Sequence, residues 1–199
     1  MKDVYEVRMH ARAGQGAKTG SQILAEAAFK EGKWVQAFPE YGSERRGAPT
    51  VSYTRISNIT LRTHEPILYP DAVLVFDVGI AKSVSVVSGL HDDGILIFNT
   101  KNSVQEVQRL TGFEGKIFTI DSTGIALDTI GIDAPNIPML GALIGVSNIV
   151  KIESVKSVIK DYFMAKLGEE KVLKNLEGLE RAYNEVIKWA KRKVIKNSK

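Results

Sequence analysis

The chain has 199 residues, 44% of them hydrophobic and 25% charged, the balance of an ordinary globular protein long enough to bury a core. Its net charge is +4, with much of the excess in the terminal stretch WAKRKVIKNSK, so the body is near neutral and nucleic acid is not implied. With no cysteine, the chain supplies no disulfide, thiolate zinc site or cysteine-held iron–sulfur cluster.

The first residues carry charge at Lys2, Asp3, Glu6 and Arg8 and lack an apolar h-region, so no secretory leader is expected. No apolar run approaches the roughly 18 residues of a membrane span, and the expected location is cytoplasmic, with no membrane partner. Val4 to Ala11 predicts a first strand, followed by the glycine loop RAGQGAKTG and an amphipathic helix from about Lys18 to Glu31. Ile23, Leu24, Ala27 and Ala28 form its apolar face, and Gly32 stands where it should end. KWVQAF is extended and leads into EYGSERRGAP, where Arg45 and Arg46 sit between glycines and a proline. PTVSYTRISNITLR predicts two short strands turning at Ser57 and Asn58, an antiparallel hairpin.

From Asp71 onward, AVLVFD, GILIFN and KIFTID are short, continuously apolar runs, the pattern of parallel strands covered on both faces. PMLGALIGVSNIV, residues 138–150, predicts a helix apolar nearly all round, deeply packed or set in a subunit interface. Two charged helices follow, over about 153–166 and 169–196. The expected fold class is α/β with a mostly parallel, mixed sheet, a β-hairpin insertion and a C-terminal helical extension. A single domain is expected, with an α/β core over about 1–150 and a helical tail over about 151–199.

Gly14-Gln15-Gly16-Ala17-Lys18-Thr19-Gly20 follows a strand and opens a helix, where backbone N–H groups and the helix dipole receive anions. The third glycine falls one residue late for a dinucleotide fingerprint, and Arg12 with Ala17 breaks the phosphate-loop pattern. Glu40 stands after the second strand, where a ribose-binding acid could sit. Two readings stay open for the loop: a site for a phosphate-bearing group, or a tight turn that needs glycine for geometry alone. Two also stay open for Arg45 and Arg46: bidentate contacts with a phosphate or carboxylate, or structural pairing with Glu40, Glu44 or a neighbouring subunit. His10 reads as a hydrogen-bonded strand histidine, and His64 and His91 show no metal-ligand spacing. The residues present no catalytic nucleophile, acid pair or metal cluster.

Residues 10–56, with their Gly-Gln-Gly turn and the block QAFPEYGSERRGAP, resemble the start of the gamma subunit of pyruvate:ferredoxin oxidoreductase and related 2-oxoacid:ferredoxin oxidoreductases. The similarity continues through DAVLVFD and PNIPMLGALIGV. It implies a three-layer α/β/α unit within a multi-subunit enzyme that converts a 2-oxoacid, pyruvate first among them, and coenzyme A into an acyl-CoA and carbon dioxide while reducing ferredoxin. It also implies thiamine diphosphate and [4Fe-4S] clusters on the alpha, beta and delta partner chains, with no cofactor bound by this chain alone. The missing cysteines agree with that division, as does the missing Gly-Asp-Gly start of a thiamine-diphosphate motif. Under this resemblance Gly14, Gln15, Gly16, Lys18 and Thr19 line a CoA-facing or subunit-facing cleft, and Arg45 and Arg46 organise its rim. The alternatives are a stand-alone NAD- or ATP-binding module and a purely structural scaffold.

Overall fold

A computed structural model describes residues 3–40 and 47–197, with side chains as far as residue 190. One six-stranded sheet runs in the order β2-β3-β1-β4-β5-β6. Its strands are β1 (Val4–Arg12), β2 (Trp34–Glu40), β3 (Pro49–Ser57), β4 (Ala72–Val75), β5 (Ile95–Asn99) and β6 (Lys116–Ile120). β3 pairs antiparallel with both β1 and β2, whereas β1, β4, β5 and β6 pair in parallel. Five strands therefore point one way and β3 alone the other. The mixed, mostly parallel sheet is as the sequence pattern predicts.

Alternation along β1 sends Val7, Met9 and Ala11 to one face and Arg8 and His10 to the other. The first face holds the larger core, built with α1 (Ala17–Lys30), α3 (Ser122–Ile130), α4 (Asn136–Ser147), α5 (Ile152–Leu167) and α6 (Glu169–Asn197). Val73, Val75, Leu96 and Phe98 face the opposite way into a smaller core with the 3₁₀ turn Ile80–Lys82 and α2 (Val104–Thr111). The α/β/α layering is thus present but unequal.

α4 explains its own apolar composition, because residues Asn136 to Ile144 are all buried. α6 covers it at close range: a Cβ added at Gly141 would lie 2.2 Å from the Leu179 carbonyl oxygen. Only a glycine permits that approach. The deep-packing reading of residues 138–150 is the one realised.

The hairpin predicted within residues 49–62 does not form. Pro49–Ser57 is one continuous nine-residue strand, and the antiparallel hairpin is β2 with β3. The strand stops where the Ser57 hydroxyl turns the chain, accepting from the Ile59 N–H at 3.0 Å and donating to the Ile59 carbonyl at 2.7 Å. A local side-chain turn thus replaces the next rung of the ladder. The segment beyond serves as a cover: Arg55 donates to the Glu65 carbonyl and pairs with Glu6 at 2.7 Å, while Arg8 donates to the carbonyls of Ile67, Val86 and Ser88.

Among the described residues, no helix is long and apolar enough to cross a membrane.

Candidate anion-binding cleft

The chain leaves β1 towards α1 on the large-core face and leaves β4 towards the 3₁₀ turn on the other. The carboxyl ends of β1 and β4 therefore form a switch point, where open α/β sheets hold their ligands. The glycine loop lies at this crevice. Gly14 and Gly16 take φ of +103° and +80°, and Gly16 is the N-cap of α1. A Cβ at Gly16 would come within 2.7 Å of Asn136 Cγ, so both the turn and the contact require glycine there.

The loop is braced from both sides. Arg12 N–H donates to Gln15 Oε1 at 2.8 Å, and Gln15 N–H donates back to the Arg12 carbonyl at 3.0 Å. The Arg12 guanidinium donates to the Gly47 carbonyl and pairs with Asp77 at 3.0 Å, while Asp77 also accepts from the Gly79 N–H. Ala13 N–H donates to Ala48 O, tying the far end of the arginine loop to the end of β1.

At the mouth of α1, no side chain caps the helix and no acidic residue stands in its first turn. Its first internal bond runs from Gly20 N–H to Gly16 O, so the amides ahead of Gly20 find no acceptor within the helix. Two other helices are capped, α2 by a Ser103/Glu106 capping box and α3 by Asp121, whereas α4 and α5, which pack on α1, share its lack of a side-chain cap. Together with the helix dipole, these amides give α1 the electrostatics of an anion receptor. Beside the mouth lies a cavity of about 240 Å³ reached by Gly16, Thr19, Ile132, Asn136, Phe163 and Lys171.

The structure thus brings Gly14, Gln15, Gly16, Lys18 and Thr19 to one place. Gln15 acts there as a brace through its carboxamide oxygen, and Lys18 is exposed in the first turn of α1. Arg45 and Arg46 lie outside the described residues. The two ends of their loop, Glu40 and Gly47, stand at the same end of the sheet as the glycine turn, because Pro49 pairs with Arg12 and Glu40 with Val51. Arg12, Asp77 and Asn136 were not among the predicted site residues. Arg12 registers in the sequence only as a departure from a glycine pattern, and nothing in the spacing marks Asn136.

His10 departs from the hydrogen-bonded strand histidine expected. It is 5% exposed, and its Nε2 has no partner among the described residues. Burial, with the nearby Arg8 charge, lowers its pKa to about 4, so the ring is neutral at pH 7. Glu40 is no ribose acid of the dinucleotide type. β3 separates β2 from β1, placing Glu40 two strands away, about 10 Å across the sheet, and its carboxylate accepts from the Tyr53 hydroxyl. His91 stacks on Tyr69, and no metal-binding group of three or more His, Asp or Glu occurs among the described residues.

The fold and cleft define a class, an α/β protein with a glycine turn and an uncapped helix mouth at a sheet switch point. The chain belongs to the pyruvate ferredoxin/flavodoxin oxidoreductase family, whose model matches residues 6–185, and it is a gamma-type subunit of that multi-subunit enzyme class. It is 46% identical over 185 residues to pyruvate synthase subunit PorC of Thermotoga maritima, covering 93% of this chain and 96% of the relative. The crystal structure of that subunit matches with a TM-score of 0.83 at 45% identity, over 92% of this chain and 97% of the other. The common gamma subunit of the pyruvate/ketoisovalerate oxidoreductases of Thermococcus kodakarensis is 46% identical over 183 residues, 92% of this chain and 97% of the relative. A 2-oxoglutarate:ferredoxin oxidoreductase from Magnetococcus marinus, solved with 2-oxoglutarate, coenzyme A and succinyl-CoA bound, shares the fold at 19% identity. The TM-score is 0.73, over 94% of this chain and 32% of that one.

Proposed function

We propose that this chain presents the CoA-facing wall of a 2-oxoacid:ferredoxin oxidoreductase and helps to hold the complex together. In this reading the complex takes a 2-oxoacid, pyruvate first, and CoA to an acyl-CoA and carbon dioxide, and two electrons pass to ferredoxin. Thiamine diphosphate and the [4Fe-4S] clusters reside on alpha, beta and delta partners, which supply carbon–carbon cleavage and electron transfer. The role of this chain is to bind and orient.

The observation that carries the reading is the uncapped mouth of α1 at the β1/β4 switch point. The helix dipole at that mouth suits the pyrophosphate of CoA, and Gly14, with open space where a Cβ would stand, leaves the backbone open to close approach. The relative from Magnetococcus marinus, solved with CoA, has the same fold. Arg45 and Arg46, on a loop whose two ends stand at this end of the sheet, supply fixed positive charge for a phosphate. A stand-alone dinucleotide module is disfavoured by the intervening β3.

Replacing both Arg45 and Arg46 with Ala in the assembled complex tests the proposal. The expected result is a KM for CoA raised about tenfold or more, with kcat and subunit composition retained. Loss of partner subunits, with ordinary CoA dependence in whatever complex survives, would assign the arginines to assembly and remove them from the CoA site.

A further inference from the structure

Asn136 is the first residue of α4 and is 7% exposed, yet its carboxamide makes no hydrogen bond to any described residue. A buried amide ordinarily satisfies its donors and acceptor within the protein. The amide atoms of Asn136 are not sealed inside the protein; they open onto the adjoining cavity and are available to a ligand. Asn136 does not cap its own helix, since the N-cap is Pro135 and no side-chain cap bond is present. Its side chain lies against Gly16 at the mouth of α1 and lines the same cavity as Thr19.

The rest of that cavity is mostly apolar, with walls from Ile130, Ile132, Ala134, Phe163 and Leu167. Its volume, about 240 Å³, is below the range of about 300 to 1,000 Å³ that encloses a whole drug-sized ligand. It therefore holds one slender part of a larger molecule. That part is uncharged, because no buried cation or anion among the described residues faces it: Lys171 is exposed at the rim, and the Asn175 amide donates to the Lys171 carbonyl. An anionic group belongs next door, on the amides of α1. The juxtaposition thus reads a ligand with a phosphate joined to a neutral arm that carries amide groups.

We infer that Asn136 is a binding residue that hydrogen-bonds an amide in the arm of the ligand, seating that arm in the cavity beside Thr19 while the phosphates rest on the mouth of α1. This rests on the CoA-facing reading above and adds to it which portion of CoA lies where. Asn136 touches the arm and sets its path. It takes no part in bond making or breaking.

The test compares two probes on the assembled complex: CoA, which has the amide-bearing arm, and adenosine 3′,5′-bisphosphate, which lacks it. Asn136→Ala is expected to weaken CoA binding about tenfold, the loss of one or two neutral hydrogen bonds. It should leave the bisphosphate within twofold, and that retained affinity shows that the cleft still folds. Asn136→Asp keeps the shape but adds a negative charge beside the phosphates, and should weaken both probes. Unchanged CoA affinity in Asn136→Ala overturns the inference, as does equal weakening of CoA and the bisphosphate. If Arg45→Ala/Arg46→Ala weakens both probes while Asn136→Ala weakens neither, the CoA reading stands and only the role of Asn136 fails. If none of these variants alters either probe, the CoA reading itself fails.

Discussion

The two halves of the sheet solve the problem of covering a face in different ways. Across β4, β5 and β6, apolar side chains point both ways and meet helices on one side and α2 with the 3₁₀ turn on the other. Across β2, β3 and β1, the large-core face mixes Val7, Met9, Ala11 and Ile56 with the small hydroxyls of Ser52 and Thr54, and the opposite face carries Arg8, His10, Tyr53 and Arg55 under irregular segments around residues 65–67 and 86–88. Irregular backbone brings carbonyls that no ladder satisfies. The arginines satisfy them, each guanidinium offering several donors in a fixed fork. One half is held by volume, the other by directed hydrogen bonds.

The largest test of that contrast pairs Arg8 with Leu96. Arg8→Met removes the donors to the Ile67, Val86 and Ser88 carbonyls and should cost about 3 to 5 kcal/mol in chemical unfolding, and Arg8→Lys should recover little, since one ammonium cannot reproduce the fork. Leu96→Met, at a fully buried site in the doubly covered half, should cost under about 1.5 kcal/mol because volume is nearly conserved. Equal losses from Arg8→Lys and Leu96→Met would erase the distinction.

The same contrast governs what the sequence discloses. AVLVFD, GILIFN and KIFTID are legible because burial on both faces writes itself as continuous apolarity. Arg8 and Arg55 alternate along their strands just as solvent-facing residues would, and only tertiary structure brings the carbonyls of residues 65–88 onto them. That is why residues 58–62 could be taken for a returning strand: their polar alternation matches an exposed hairpin, and the Ser57 turn is indistinguishable from a hairpin tip. The glycine loop was visible because its backbone need is specific to glycine. Asn136 was invisible, because its meaning depends on packing against Gly16, 120 positions away in the chain.

A middle-sized effect is expected from His10, the neutral group in the directed half. Its folded pKa is about 4 against an ordinary value of 6.5. As pH falls from 7 the unfolded chain binds a proton near 6.5 that the folded chain refuses until about 4, so stability is full above 6.5 and declines in that window. The loss between pH 7 and pH 5 should be about 2 kcal/mol. Denaturant midpoints measured across that range should flatten in His10→Gln. A slope unchanged by the substitution would place the titrating group elsewhere.

The smallest effect separates the halves most finely. Ser57 sits at the seam where ladder gives way to irregular cover, paired with Val4 on one side and Trp34 on the other. Ser57→Ala takes away the hydroxyl that turns the chain onto Ile59 and should cost about 1 kcal/mol. Because the loss is local, hydrogen exchange should quicken at the strand ends near Val4 and Trp34 and stay unchanged at Ile97 in the doubly covered half. Were Ile97 to quicken in step, the two halves would open as one cooperative unit. The division between volume-held and bond-held regions would then describe how the sheet is covered, with no bearing on how it comes apart.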